Sequence, residues 1–190
     1  MKKTLHMQAL LKMICRKEIK MAEIIKTFKE EIPALRFIGK KYPSFGPMWG
    51  EWFANGWFEK IEEAMGGVQN ITAIWKNGGG YVGLERRAEG QPFEYWIGMF
   101  VPMGTNVPDG FSFVDFSKVS LGTCWLYGNE KEVHNTKRCR GAVVDAGLDL
   151  WTDEKGGIWS FENCVCPRYT SPDNQGNIIM DYCYFIKESQ

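Results

Sequence analysis

Glu162 is the residue in this chain whose type and position offer the clearest chemistry. It is the only acidic residue between Trp159 and Pro167, and in a β-strand its side chain would share a face with Ser160 and Cys164. If that face borders a cleft, the carboxylate could bind a ligand cation among aromatic rings. It could instead act as a general base that activates a water for attack on an electrophilic carbon, because an apolar cleft raises a carboxyl pKa. The alternative is a surface glutamate at the edge of a sheet.

Aromatic side chains form the second group of candidate binding residues. Phe, Trp and Tyr make up 14% of the chain, with eight Trp. Because a buried indole N–H needs a hydrogen-bond partner, this surplus is typical either of a cavity for flat, apolar or cationic molecules or of an aromatic-rich core. The hydroxyl of Tyr95 could orient a water or a ligand, and its strand neighbour Trp96 would face the other way. The candidate wall residues are Trp49, Trp52, Trp96 and Trp125.

The remaining motifs give no catalytic or metal-binding pattern. The six Cys are irregularly spaced, and the C-x-C pair of Cys164 and Cys166 differs from the C-x-x-C pairs and Cys/His clusters of zinc sites. We therefore expect reduced, buried thiols, with no metal and no cofactor. With only two His, no Ser/His/Asp set is recognisable. Gly78-Gly79-Gly80 lacks the Lys and Ser/Thr of a phosphate loop, and Glu85-Arg86-Arg87 is interpreted as a solvated charge cluster.

Composition limits the class of protein. The 190 residues are 44% hydrophobic and 24% charged, which is typical of a globular domain. Lys plus Arg and Asp plus Glu both total 23, and the resulting zero net charge argues against direct binding of nucleic acid. No stretch is apolar for long enough to span a membrane, and the basic start has no signal-peptide cleavage site. We expect a cytoplasmic protein that does not associate with membranes.

The first segment of the chain differs from the rest. Residues 1–20 carry six basic side chains against a single acid, Glu18. Their apolar residues could form a short amphipathic helix, which is too short for a helix-turn-helix domain. We therefore divide the chain into a basic N-terminal extension at 1–20 and one ligand-binding domain at 21–190.

The predicted elements of that domain occur in two similar sets. The first set has a strand at Leu35–Tyr42, a helix that runs from Pro47 to Met65, and strands at 71–75, 81–87 and 93–101. The second set has strands at 111–116 and 122–127, a helical region at 130–150, and strands at 159–169 and 178–186. The pattern predicts an α+β fold with two pseudo-twofold-related strand-helix-strand repeats, a mainly antiparallel sheet and a central ligand cleft.

Four segments of the chain, at residues 34–40, 95–98, 107–111 and 161–162, together resemble the GyrI-like small-molecule-binding domains. Residues 34–40, Ala-Leu-Arg-Phe-Ile-Gly-Lys, resemble the opening strand of that family, and residues 95–98, Tyr-Trp-Ile-Gly, resemble its middle strand. Residues 107–111, Val-Pro-Asp-Gly-Phe, are similar to the linker between its repeats. Phe161-Glu162 is similar to the segment with its glutamate, although Cys164 stands where the family often has Tyr. No motif is specific alone; their order and spacing carry the resemblance.

The resemblance covers about residues 21 to 187 and implies both a fold and several functions. The fold is the one shared with effector-binding domains of AraC-type and multidrug-sensing regulators, whose aromatic pockets hold a buried glutamate that Glu162 would match. Some stand-alone members of the family open strained cyclopropane rings of DNA-alkylating natural products, and others protect DNA gyrase. Because a fold does not fix an activity, these functions remain alternatives.

We therefore consider three functions. The first is a stand-alone cytoplasmic protein that binds bulky aromatic or cationic small molecules and serves in xenobiotic binding or protection. The second is a cyclopropanoid hydrolase in which Glu162 is the general base and Tyr95 assists. The third is an interaction protein of the gyrase-protecting type, whose protein partner the sequence does not name. The binder needs an apolar cage with an anion, the hydrolase needs a second polar group near Glu162, and the interaction protein needs an exposed apolar patch.

Overall fold

The computed structural model describes residues 21–70 and 81–188, which form eight β-strands, four α-helices and one short 3₁₀ helix. The predicted extension at 1–20, the strand at 71–75 and the loop at 77–80 lie outside the described residues. The strands are β1 (Glu23–Glu31), β2 (Leu35–Tyr42), β3 (Val82–Arg87), β4 (Glu94–Pro102), β5 (Ser112–Phe116), β6 (Val119–Gly128), β7 (Ile158–Asn163) and β8 (Ile178–Lys187). The helices are α1 (Met48–Ala54), α2 (Trp57–Ala64), the 3₁₀ turn Val68–Asn70, α3 (Glu130–Val133) and α4 (Cys139–Asp145).

The strands form one sheet with the order β1-β6-β8-β7-β3-β4-β2-β5, and every neighbouring pair is antiparallel. The order is symmetric about the central pair of β3 and β7. Each half contributes two strands, two helices and two further strands, and its first strand pairs with the second strand of the other half. The predicted α+β fold with two pseudo-twofold repeats and an antiparallel sheet is confirmed.

One face of the sheet curls around an aromatic core. Phe116 lies on β5 at one end of the sheet, whereas Phe185 lies on β8, third from the other end. Their rings nevertheless stack, with centroids 4.0 Å apart and an angle of 2° between the planes. Phe37, Phe100 and Phe161 fill the space around them and are fully or almost fully buried. Burial of this aromatic surface brings distant strands together and fixes the curvature of the sheet.

The other face of the sheet carries the helices. In the first half, α1 and α2 cover a cluster that includes Ile38, Ile97 and Met99. In the second half, α3 and α4 cover a cluster that includes Leu126 and Met180. The two helix pairs are separate, so the middle of this face, over β3 and β7, is left for a cleft.

The long predicted helix is interrupted. The apolar spacing from Pro47 to Met65 predicts one helix, but the structure ends α1 at Ala54 and starts α2 at Trp57. Gly56 between them adopts a left-handed conformation, with φ of 61°, which ends a helix and which glycine tolerates without a steric penalty. As a result Phe53, near the end of α1, is 56% exposed, whereas Phe58 in α2 is buried.

The predicted helical region at 130–150 is also divided into two helices. Asn129 starts α3 with a capping box, in which its side chain accepts from the backbone N–H of Glu132 while the Glu132 carboxylate accepts from the backbone of Asn129. The predicted strand at 159–169 ends earlier, at Asn163.

Strand β1 was not predicted. Its residues Glu23–Glu31 pair with β6 at the edge of the sheet. A bulge at Ile25 breaks the two-residue alternation, since Ile24 pairs with Leu126 while Lys26 pairs with Trp125. Edge strands also carry charged residues that keep other chains from pairing with them. Both features remove the apolar alternation by which a strand is recognised.

Candidate functional site

A cavity of about 820 Å³ occupies the gap between the two helix pairs. Its floor comes from the central strands, and its walls come from the loop before α1, from α3 and from the segment after α3. The residues that line it are Phe45, Gly83, Glu85, Arg87, Tyr95, Lys131, His134, Asn135, Thr136, Lys137, Glu162, Tyr182 and Tyr184. The central cleft predicted from the two repeats is therefore present, and both halves contribute to it.

Glu85 and Glu162 hold equivalent places in the two halves. In the central pair, Leu84 of β3 faces Phe161 of β7 across the pseudo-twofold axis, and each glutamate directly follows one of them. Each glutamate is also paired with a tyrosine of the outer neighbouring strand, Glu85 with Tyr95 and Glu162 with Tyr182. Side chains at diagonal positions on one face of an antiparallel pair are about 7–8 Å apart. The cavity floor thus carries two glutamates and two tyrosines in a symmetric arrangement.

Glu162 is partly exposed and lies next to a histidine. Its Oε1 is 3.1 Å from Nδ1 of His134, and the two side chains are 34% and 43% exposed. The pKa of His134 is raised because the Glu162 carboxylate accepts a hydrogen bond from the protonated ring, while partial burial of the ring opposes the rise. Glu162 stands on an inner strand and in the cavity, so it is not the sheet-edge glutamate of the alternative interpretation.

Glu85 is the more buried carboxylate. Its side chain is 10% exposed, and its Oε2 accepts a hydrogen bond of 2.9 Å from Arg87. The Tyr182 hydroxyl lies 3.3 Å from the other oxygen and 3.0 Å from the hydroxyl of Ser160. Burial raises the pKa of Glu85, and the contacts with Arg87 and Tyr182 oppose this rise. The two symmetric carboxylates therefore have different electrostatic surroundings.

The Tyr95 hydroxyl accepts one hydrogen bond and can still donate another. The indole N–H of Trp49 donates to the Tyr95 oxygen at 3.0 Å, and because an indole only donates, the Tyr95 hydroxyl keeps its own proton for a ligand or a water. Burial raises the pKa of Tyr95, so the group stays protonated near neutral pH. Gly83 makes this position possible, because a Cβ there would lie 2.4 Å from the Tyr95 oxygen.

Of the predicted site residues, Glu162 and Tyr95 line the cavity. Trp49 does not line it but donates a hydrogen bond to the Tyr95 hydroxyl. Trp52 is the buried residue of α1, and its indole N–H donates to the hydroxyl of Tyr42 at 3.0 Å. Trp96 belongs to the aromatic core on the opposite face of the sheet. Trp125 also does not line this cavity; its ring packs edge-on against Phe28 at 5.5 Å. A spacing pattern shows which residues share a face of one element, but which face borders a cavity depends on packing between elements.

Two interpretations from the sequence are corrected by the structure. Glu85-Arg86-Arg87 is not a solvated cluster, because Glu85 and Arg86 are only 7% and 4% exposed. Cys164 and Cys166 are exposed rather than buried, since β7 ends before them. The five Cys of the described residues, these two with Cys124, Cys139 and Cys183, are free thiols.

Sequence reasoning missed several lining residues, namely Glu85, His134, Tyr182, Tyr184 and Phe45. The signal for Glu85 was present, because Leu84-Glu85 and Phe161-Glu162 repeat an apolar-Glu pair. His134 had no signal of its own. Within residues 21–70 and 81–188, no group of three or more His, Cys, Asp or Glu is arranged to hold a metal ion. None of the helices in the same residues has the length and apolarity to cross a membrane.

Comparison with known proteins identifies no family and gives structural likenesses of low degree. No family model and no curated protein matches the chain. A protein from Staphylococcus aureus MU50 that is assigned to bacterial transcription regulation has 12% sequence identity and a TM-score of 0.46, over 85% of this chain and 97% of that chain. The structure of SAV2435 bound to tetraphenylphosphonium has 13% identity and a TM-score of 0.45, over 85% of this chain and 93% of that chain. A likeness of this degree carries no argument about function.

Proposed function

We propose that this protein binds bulky aromatic or cationic small molecules in the central cavity, with Glu162 as the counter-charge. The observation that carries the proposal is a cavity of about 820 Å³ whose floor combines two carboxylates with the rings of Tyr95, Tyr182 and Tyr184. Cavities for small molecules commonly enclose about 300–1,000 Å³ and combine aromatic walls with a few polar groups. A cation over an aromatic face and beside a carboxylate gains from both.

Phe45 gives the cavity an aromatic wall that a ligand can reach. Its ring is 57% exposed, and its centroid lies 4.7 Å from that of Tyr95 and 5.0 Å from that of Phe93. An exposed aromatic ring beside other aromatic rings favours stacking of a further ring, with a gain of about 0.5–1.5 kcal/mol beyond the area buried. The expected ligand is therefore aromatic as well as positively charged.

A matched pair of dyes tests this proposal. Malachite green is a triaryl cation, and its reduced leuco form has a related framework without the permanent charge. Glu162→Gln keeps the shape of the side chain and removes its charge, so the cation should bind more weakly by about 1–3 kcal/mol while the leuco form binds as before. Glu154→Gln is the control, because Glu154 is exposed and does not line the cavity. Equal affinity of both dyes for the wild-type protein and for Glu162→Gln would contradict the assignment.

A second candidate function is hydrolysis of an electrophilic ring. The Tyr95 hydroxyl favours this function, because it accepts a hydrogen bond from Trp49 and can still donate its own proton to a substrate. A water between Glu162 and the ligand would give its proton to the Glu162 carboxylate while its oxygen bonds to the ring carbon. The strained carbon–carbon bond breaks, and the electron pair is taken up by a conjugated acceptor on the substrate that Tyr95 can protonate.

The two candidate functions differ in how they respond to Glu162→Gln. For a hydrolase, a cyclopropane-bearing substrate should still bind, but its turnover should fall by about 10²–10⁴-fold. For a binding protein, there is no turnover to lose, and the whole effect is on the affinity for cations. Single-turnover kinetics with equilibrium titration of the same compound separate the two outcomes.

A further inference from the structure

The central cavity carries opposite charges at different depths. Glu85 and Glu162 rise from the sheet at its floor, whereas Lys131, Lys137 and Arg87 line it with exposed side chains. A ligand with positive charge alone would meet these basic groups on its way in. A ligand with a positive centre at the floor and a negative group further out would be attracted at both levels.

A smaller cavity of about 380 Å³ adjoins the central one and shares Arg87 and Tyr184 with it. Its lining adds the basic side chain of Arg140 from α4 and the acidic side chain of Glu89. Arg140 is exposed, and within the part of the chain that the structure describes no carboxylate pairs with it. The lining of the smaller cavity therefore has two basic side chains against one acidic one, and Arg140 brings a positive charge that no carboxylate of the described residues pairs with.

Arg87 is held in place between the two cavities. Its guanidinium lies over the ring of Phe93, 4.2 Å from the centroid, and one of its terminal nitrogens donates to Glu85 at 2.9 Å. A guanidinium has five N–H donors in a fixed plane, so donors remain after this contact. Stacking and the ion pair limit the freedom of the side chain, which lowers the entropy cost of binding a further anion.

From this charge arrangement we infer that the smaller cavity is a carboxylate subsite formed by Arg87 and Arg140, and that the preferred ligand is amphoteric. The inference rests on the proposed function. The aromatic cation lies in the central cavity over Glu162, and a carboxylate of the same molecule reaches past Tyr184 to the two arginines. A planar carboxylate matches the geometry of guanidinium donors better than a point charge does.

Tetramethylrhodamine and its methyl ester provide the test. Both contain the same aromatic cation, but the free acid also carries a carboxylate, so the two dyes differ in the group that the subsite would recognise. We expect the wild-type protein to bind the acid about tenfold more tightly than the ester, as one charge-assisted contact would give. Fluorescence anisotropy titrations at fixed ionic strength measure both dissociation constants.

Substitutions at Arg140 locate the preference. Arg140→Gln should abolish the preference for the acid, because the affinity for the acid falls while the affinity for the ester changes by less than about twofold. Arg140→Glu should reverse the preference, so that the ester binds more tightly than the acid. Lys60→Gln is the control for loss of one exposed positive charge, since Lys60 lines neither cavity. Thermal unfolding of each variant checks that the fold is retained.

The outcomes of this experiment are separable from those for the proposed function. If the ester binds at least as tightly as the acid and Arg140→Gln changes neither, the subsite is overturned while the cation-binding function stands. If neither dye binds and neither form of malachite green binds, the proposed function fails. Loss of the preference in Lys60→Gln as well as in Arg140→Gln would show a general charge effect and would also overturn the subsite.

Discussion

Nδ1 of His134 lies 3.1 Å from Oε1 of Glu162, so the carboxylate proposed to bind a ligand cation already has a titratable partner within the chain. When His134 is protonated, it neutralises Glu162. When it is neutral, the carboxylate is available to a ligand. The charged side chains around this pair also include Glu130, which adds to the rise of the His134 pKa, and Glu85, Arg87, Lys131 and Lys137, which line the same cavity.

We expect cation binding to strengthen as the pH rises through the raised pKa of His134. The raised pKa of His134 has the opposite effect on folding stability. Its contribution to the free energy of unfolding is fully present below the pKa of an unfolded-state histidine, about 6.5, and is lost as the pH rises through the pKa of His134 in the folded protein. Fluorescence anisotropy titration of the methyl ester of tetramethylrhodamine, whose positive charge does not change between about pH 5.5 and about pH 8.5, should show the change, and His134→Gln should flatten it. If the affinity of His134→Gln still changes with pH at the acidic end of this range, the change would come from titration of Glu85, whose pKa is also raised.

The exposed ring of Phe45 should contribute directly to ligand affinity. Phe45→Ala removes one aromatic wall of the cavity and should weaken binding of malachite green by about 1–2 kcal/mol. Phe53→Ala is a matched control, because Phe53 is 56% exposed against 57% for Phe45 and does not line the cavity. If both variants lose the same affinity, the ligand does not stack on Phe45.

Gly83 should be required for the position of Tyr95. In Gly83→Ala the new Cβ would lie 2.4 Å from the Tyr95 oxygen, so the buried ring must move and its hydrogen bond with Trp49 is lost. We expect a loss of about 1–3 kcal/mol in the free energy of unfolding, as for other overpacked interiors, together with weaker ligand binding.

A second glycine provides the control for this substitution. Gly141 lies within α4, and a Cβ added there would meet no atom within 4 Å apart from its chain neighbours and the backbone of its own helix. Gly141→Ala should therefore stabilise the protein by about 0.5–1 kcal/mol through helix propensity. Urea unfolding of both variants measures the two effects, and a neutral Gly83→Ala would show that Tyr95 can shift at no cost.

The hydroxyl of Tyr182 should stabilise the fold. Tyr182 is 2% exposed, and its hydroxyl contacts Ser160 and Glu85. Tyr182→Phe leaves both of these buried groups with one partner fewer and should cost about 1–2 kcal/mol. Tyr81→Phe removes a hydroxyl that bonds Glu62 at the surface and should cost less than about 0.5 kcal/mol. Chemical denaturation of the two variants gives the comparison, and equal costs would contradict a structural role for the buried network.

Local sequence patterns determined much of the fold. The alternation in Leu35–Tyr42 predicted β2 with the bounds that the structure has, and the two sets of elements predicted the antiparallel sheet and its pseudo-twofold order. The alternation of side chains along a strand also predicted that Ser160 and Glu162 share one face, and in the structure that face borders the cavities. These features follow from the two-residue period of a strand, which a sequence shows directly.

The composition of the site was decided by tertiary structure. Tyr95 and Trp96 face opposite sides of one strand, and the packing of the helices decided that the cavity lies on the side of Tyr95 and the aromatic core on the side of Trp96. Glu85 has the sequence context of a surface charge, yet antiparallel pairing of β3 with β7 sets it beside Glu162 on the cavity floor. His134 reaches Glu162 only because α3 folds back over the sheet. Such contacts join residues that are far apart in the chain, so they depend on how elements pack and not on the period within any one of them.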